Sequence, residues 1–466
     1  MENMDTSHPT SSGEYAMVLL GLAAVLGVLS IRARYQQKLE ERREAGTELM
    51  VTDDFRIFQG MFIRVYLAAL ATDWLQAAYL FVVLREYHPE QFVVRMYLAG
   101  VTSQLSMSLL LELMGGFIPH KFRCAACLAL QAGSACLMLH PAFGGLVTSR
   151  VFGGFASALL HSAFEAWMVE QHVGQGFPLE WITDTFNRTA MAMSALSILL
   201  GPAATVAHDF GGGNLGPFNI SLLLIGVNAL QLIGWRRDPN KPFQSCADTG
   251  RLATRAWNAL SGERDVVLVA VAQACFEAGT FAFALLWTPL LDAAAKARDP
   301  SDETPWGLAF SQQLACVMIG SVLFKITAST SPFLKAERMC FAGCMGGALS
   351  FAALSSGQSL GEVQAGLLAY ELSVGVYINA MGMVRSKYIP QEVRGLITTG
   401  SKLVATTLLF VVLLFISESR TVTTAICGIL SLVGALTSAL AGSGATAEKG
   451  EGMKGVEDGL LSSPRR

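Results

Sequence analysis

Apolar stretches long enough to cross a hydrocarbon core of about 30 Å, roughly 20 helical residues each, recur thirteen times along this chain. They fall near 15–31, 61–84, 97–118, 122–140, 146–169, 189–209, 217–235, 266–291, 306–328, 338–356, 361–384, 398–417 and 421–441. The pattern therefore predicts an all-α, polytopic membrane protein. Lys and Arg concentrate in cytoplasmic loops, so the connecting segments can be tested by counting. With the N-terminus outside, the seven inner segments hold 25 basic residues and the outer ones five, Arg85, Arg95, Lys296, Arg298 and Arg420. That alternation places the C-terminus in the cytoplasm.

The first span follows Glu2, Asp5 and Glu14 and precedes Arg32, Arg34 and Lys38. A cleavable signal has the opposite charge order, so this segment reads as a retained anchor. The basic inner segment 236–265 reads as a cytoplasmic loop and divides the other twelve spans six and six. The expected organisation is an anchor and basic linker (1–60), a first bundle (61–235), the loop (236–265), a second bundle (266–441) and a cytoplasmic tail (442–466). Two six-helix halves that rock against each other are the layout of a secondary transporter.

Composition narrows the function. Hydrophobic residues make up 52% of the 466, charged residues only 15%, and the net charge is -3. Soluble enzymes and nucleic-acid binders carry far more charge. No phosphate loop or hydrolase elbow is present, which speaks against an enzyme or an ATP-driven pump. Cys124-x-x-Cys127 and the Cys340/Cys344 pair sit in apolar helices without a second ligand pair and read as packing residues, so no metal and no cofactor is expected.

A charge near the bilayer centre costs about 2.5–3.5 kcal/mol on insertion scales, so each one retained there is a functional candidate. Eight are: Arg64, Asp73, Glu112, Arg150, Glu165, Glu277, Glu371 and Lys402. The spans at 122–140, 217–235, 338–356 and 421–441 carry none, which marks them as peripheral helices. In 146–169, Arg150, Gly154, Ser157, His161 and Glu165 stay on one narrow face at 100° per residue, as a stripe that lines water or substrate would. Asp73 shares its face with Gln76 and Ala77, whereas Arg64 lies half a turn away and reads as a snorkelling side chain. Glu277 makes a polar patch with Gln273 and Thr280. Glu371 lies beside Ser373 and Gly375, and Lys402 reads as a helix-end anchor. Five acids against three bases leave two possibilities open: a cationic substrate, or an anion bound while several acids are protonated.

The segments Leu70-Ala71-Thr72-Asp73-Trp74-Leu75-Gln76-Ala77, Arg150-Val151-Phe152-Gly153-Gly154, Ser162-Ala163-Phe164-Glu165-Ala166-Trp167, Phe177-Pro178-Leu179-Glu180-Trp181-Ile182 and Trp287-Thr288-Pro289-Leu290-Leu291-Asp292 closely resemble the molybdate-anion transporter family of the major facilitator superfamily. The likeness runs from about residue 55 to 440, and the extra N-terminal span fits it too. It implies a major facilitator fold plus one helix, and uptake of molybdate across the plasma membrane by alternating access. One departure stands out. The superfamily's acidic, basic loop signature is replaced by Gly115-Gly116-Phe117-Ile118-Pro119-His120-Lys121, so gating is expected to use Glu112, one turn earlier, in place of the missing acid.

A tetrahedral dianion calls for one positive side chain and several neutral donors near the midplane. Arg150 is the best cation, with Ser157, Gln76, Gln273 and Thr280 as donors. Asp73, Glu165, Glu277 and Glu371 are candidates for proton coupling, since buried acids carry protons in many transporters. Two other readings fit the residues: a proton-coupled exporter of organic cations, and a membrane sensor that binds without flux.

Overall fold

Within a bilayer no water is available to satisfy backbone amides, so a spanning chain without a closed barrel must be helical. The computed structural model describes residues 11–44, 52–114, 118–235, 246–301, 303–330, 335–416 and 420–441. The linker at 45–51, the Gly115-Gly116-Phe117 stretch, 236–245 and the expected cytoplasmic tail lie outside them. The described residues form fourteen α-helices: α1 (Ser11–Glu44), α2 (Asp53–Tyr87), α3 (Glu90–Met114), α4 (His120–Met138), α5 (Phe143–Gly174), α6 (Glu180–Gly211), α7 (Gly216–Ile233), α8 (Cys246–Gly262), α9 (Arg264–Arg298), α10 (Trp306–Thr330), α11 (Ala336–Ser356), α12 (Leu360–Tyr388), α13 (Arg394–Ile416) and α14 (Arg420–Ala441).

A long helix stands at each of the thirteen predicted spans, and eleven of these are long and apolar enough by themselves to cross a membrane. The two others, α3 and α4, owe their lower hydropathy to residues such as Gln104, Gln131 and Ser134 that face the interior. The surprise is α8. It lies in the segment read above as a loop and rests on α9 and α13, with Ala256 buried and Trp257 exposed. Leu252, Ala256, Ala259 and Leu260 carry its apolar face, a spacing short enough to be missed among the charges around it.

Packing follows the small residues. Among α2 to α7, α5 is gripped by α3 and α4, while α7 lies on α2 and α4; among α9 to α14, α11 lies between α12 and α14, and α9 touches α12, α13 and α14. The two groups meet along α6 and α10 and where α3 reaches α13. Helices lacking a hydrophobic drive to associate in lipid depend on close backbone approach. Gly320 on α10 and Gly375 on α12 show it, since a Cβ on either would overlap a carbonyl of the other helix. The first helix is integral to this packing. It runs parallel to α10, with Gln312 donating to the Tyr15 carbonyl (2.7 Å) and Gln36 donating to Thr330 Oγ1 (3.0 Å).

Several residues of the family-like motifs are structural. Phe177 and Trp181 close an aromatic cluster with Phe55, Phe58 and His172, and Trp167 stacks on Trp235 at 3.6 Å. Cys124, Cys127, Cys340 and Cys344 are buried in the helix packing.

Candidate substrate cavity

A polar cavity of about 180 Å³ opens among α2, α3, α4 and α5, with Phe281 of α9 reaching it from the other half. Asp73, Gln76, Arg150 and Ser157 all line it, so four of the residues singled out in the sequence converge. Glycines make room for the guanidinium. A Cβ on Gly100 of α3 would lie 3.2 Å from Arg150 Nη2, and one on Gly153 would lie 3.2 Å from Nη1. Among the described residues no carboxylate comes within 4.0 Å of Arg150, although Asp73 and Tyr97 are its near electrostatic neighbours. Its Nε is buried without a hydrogen-bond partner, and so is Nε2 of Gln76.

Four further polar residues, Gln104, Gln131, Tyr97 and Ser134, line the cavity that the sequence reading passed over. Gln104 donates to Ser157 Oγ (3.2 Å), which leaves the Ser157 hydroxyl proton free to point at a ligand. Gln131 anchors its amide on the Ala69 carbonyl (3.3 Å), and Tyr97 donates to the Phe281 carbonyl (2.8 Å), tying the first half to the second. Their signal was weak, since an uncharged amide in an apolar span is common and its direction is unknown from spacing alone.

The remaining candidates lie elsewhere. Gln273 is buried and donates to Glu277 Oε1 (2.8 Å), and Thr280 donates to the Phe276 carbonyl (3.1 Å) while sharing a hydrogen bond with Tyr370 (3.0 Å). Both face the packing of α9 against its own half, outside the cavity. Glu165 accepts from Tyr66 (3.4 Å). Glu371 sits on α12 toward Cys316 of α10, Arg64 is exposed and folds back on Gly60, and Glu112 rests its carboxylate against Gly395 in the first turn of α13. A helix N-terminus presents free amides and positive potential, so that carboxylate joins the two halves at this end.

At the opposite end, where α2 and α9 terminate, a vestibule of about 850 Å³ lies between the halves. Arg85 of α2 pairs with Asp292 of α9 at 3.0 Å, Lys296 reaches the same carboxylate at 2.9 Å, and Arg420 of α14 pairs with Glu90 of α3 at 3.5 Å. Asp292 is 15% exposed but its partners Arg85 and Lys296 are 42% and 56% exposed, so each pair contributes on the order of 1 kcal/mol. Asp292→Asn is therefore expected to leave thermal stability nearly unchanged while altering the transport rate. A melting loss like that of a core variant would contradict a gating role.

A family model described as sugar transporters with twelve transmembrane spans matches residues 14–346. The molybdate-anion transporter of Xenopus tropicalis is 31% identical over 382 residues, 80% of this chain and 81% of its own. That of Xenopus laevis is 30% identical over 383 residues (81% and 82%), and that of Danio rerio 28% over 408 (81% and 82%). Among solved structures, a mutant of the nucleoside transporter NupG superposes with a TM-score of 0.64 at 12% identity, covering 83% of this chain and 99% of its own.

Proposed function

The chain belongs to the molybdate-anion transporter family of the major facilitator superfamily, and from that premise we propose that it carries molybdate across a membrane by alternating access, with Arg150 as the cation that holds the tetrahedral dianion. One observation carries this reading: two buried donors, Arg150 Nε and Gln76 Nε2, border the same polar cavity with no acceptor among the described residues. An unmet buried donor costs about 1–3 kcal/mol, more for a charged one, and an oxyanion meets both. Ser157 adds a hydroxyl. The cavity is several times the ~30 Å³ share of a single water, so the anion can enter with part of its hydration.

The surplus of acids, which favoured an organic cation in the sequence, bears little on this cavity. Of the five span acids only Asp73 lines it. Asp73 faces Arg150 and His161 and is the coupling acid we favour: protonated as the anion binds, it would lower the negative field beside the guanidinium. Glu165, Glu277 and Glu371 would then serve packing or later steps, and Glu112 the gate at α13. The two halves, 61–235 and 266–441, would rock about the cavity. An N-terminus outside accords with the basic inner segments and with α1 running parallel to α10, and the family likeness favours the plasma membrane.

Molybdate accumulation in proteoliposomes tests both levels. Uptake of radiolabelled molybdate, competed by tungstate, is expected, and an inward proton gradient should raise the accumulated level. Uptake that ignores the gradient would remove the coupling. Uptake of organic cations with none of molybdate would remove the oxyanion reading.

A further inference from the structure

Lys402 was expected to be a helix-end anchor, yet it lies eight residues inside α13. Gly395 and Lys402 share one face of that helix, since a step of seven residues rotates by only about 20° from full turns. The first end of this face meets the first half. Gly395 lies against the Glu112 carboxylate of α3, and α13 packs on α3. The ammonium two turns further along the same face therefore points toward the first half. Its charged neighbours are Glu112 of α3, His161 of α5 and Glu277 of α9, and no carboxylate among the described residues comes within 4.0 Å of it.

His161 is the link to the cavity. It stands on the α5 stripe eleven residues beyond Arg150, about 16 Å along the axis, and its side chain is exposed. The stripe continues one turn beyond Ser157, the last α5 residue lining the cavity, to His161, which has the ammonium of the other half as an electrostatic neighbour. Glu112 packs against Gly395 in the first turn of α13, and Glu277 accepts from Gln273.

We infer that Lys402 and His161 form a second oxyanion station, between the central cavity and the end of the molecule where α3 meets α13, engaged by the dianion as it leaves Arg150. The inference rests on the oxyanion reading above. An ammonium is a strongly hydrated point charge on a flexible stem, without the planar fork of a guanidinium. It suits brief occupancy and release, with Glu112 and Glu277 competing for it once the anion has gone. Because Arg150 and Lys402 belong to different halves, the anion passes from one to the other during the rocking step.

The test compares equilibrium binding of radiolabelled molybdate to the purified full-length protein with its net uptake into proteoliposomes. Lys402→Gln should bind within threefold of the unaltered protein yet take up molybdate at least tenfold more slowly. Lys402→Arg should restore most of the rate, and His161→Asn should show the same split with a smaller loss, which keeps the test open if Lys402→Gln does not fold. Three results overturn the station: uptake by Lys402→Gln within twofold of normal, binding lost together with uptake, or uptake restored by adding Glu277→Gln, which would make Lys402 a charge balance only. Normal binding by Arg150→Gln would instead sink the underlying reading, and the station with it; binding lost there with normal uptake by Lys402→Gln sinks the station alone.

Discussion

Arg150→Ala is expected to reduce molybdate uptake about a hundredfold or more while the protein still folds. The guanidinium has no carboxylate within 4.0 Å among the described residues, so its removal breaks no ion pair there, although Asp73 loses a positive neighbour. What is lost is the charge-assisted contact to the dianion, and truncating one side of such a buried pair costs about 2–5 kcal/mol. Arg150→Lys should recover only part of the loss, since the ammonium cannot offer two parallel donors to one oxyanion. The check is initial-rate uptake normalised to protein in the membrane, with melting temperature measured in detergent. Uptake by Arg150→Ala within threefold of normal would contradict the assignment.

Gly154→Val should do the opposite and damage the fold first. Even the first added carbon at this position would lie 2.9 Å from the Gln104 backbone nitrogen and closer still to Ser103 Oγ and the Gly100 carbonyl. Two of those atoms are backbone, so α3 must move away from α5. Overpacking of this kind costs typically 1–3 kcal/mol and more where backbone blocks relaxation, and the same wall bounds the cavity. A large fall in melting temperature or loss of folded protein is expected. Gly153→Ala is the contrast, since its methyl would meet Arg150 Nη1 at 3.2 Å and Ser134 Oγ at 3.3 Å, both side-chain atoms able to yield. That variant should fold and lose molybdate affinity. Equal melting of Gly154→Val and the unaltered protein would show the contact is not as tight as the geometry requires.

The difference between these two glycines also explains what the sequence could and could not reveal. Span positions are legible because hydropathy is a one-dimensional property, and all thirteen long helices stand where apolar runs placed them. The α5 stripe was legible for a similar reason, as helical periodicity fixes which residues of one helix share a face. That brought Arg150 and Ser157 together, and the same argument on α2 joined Asp73 to Gln76. Periodicity cannot say which neighbour a face meets. Gln273 and Thr280 share their face with Glu277 as expected, but they make their hydrogen bonds to Glu277, Phe276 and Tyr370 and line no part of the Arg150 cavity. Gln104, Gln131 and Tyr97 stood unmarked in apolar spans until packing turned them inward. The direction of Lys402 is set by Gly395 meeting Glu112 of the first half, a contact made between segments nearly three hundred residues apart. The helix α8 was hidden for another reason: its short apolar face lies within a segment where charged residues of both signs interrupt the apolar pattern.

The central claim is that one guanidinium in a polar cavity between α2, α3, α4 and α5 receives a tetrahedral dianion. Tungstate has the same shape and charge as molybdate and scatters strongly enough to be located directly. A structure determined with tungstate should show a single heavy density within hydrogen-bond distance of Arg150 Nε and Gln76 Nε2. Density confined to the vestibule beside Arg85 and Lys296, with the Arg150 cavity holding only solvent, would contradict it.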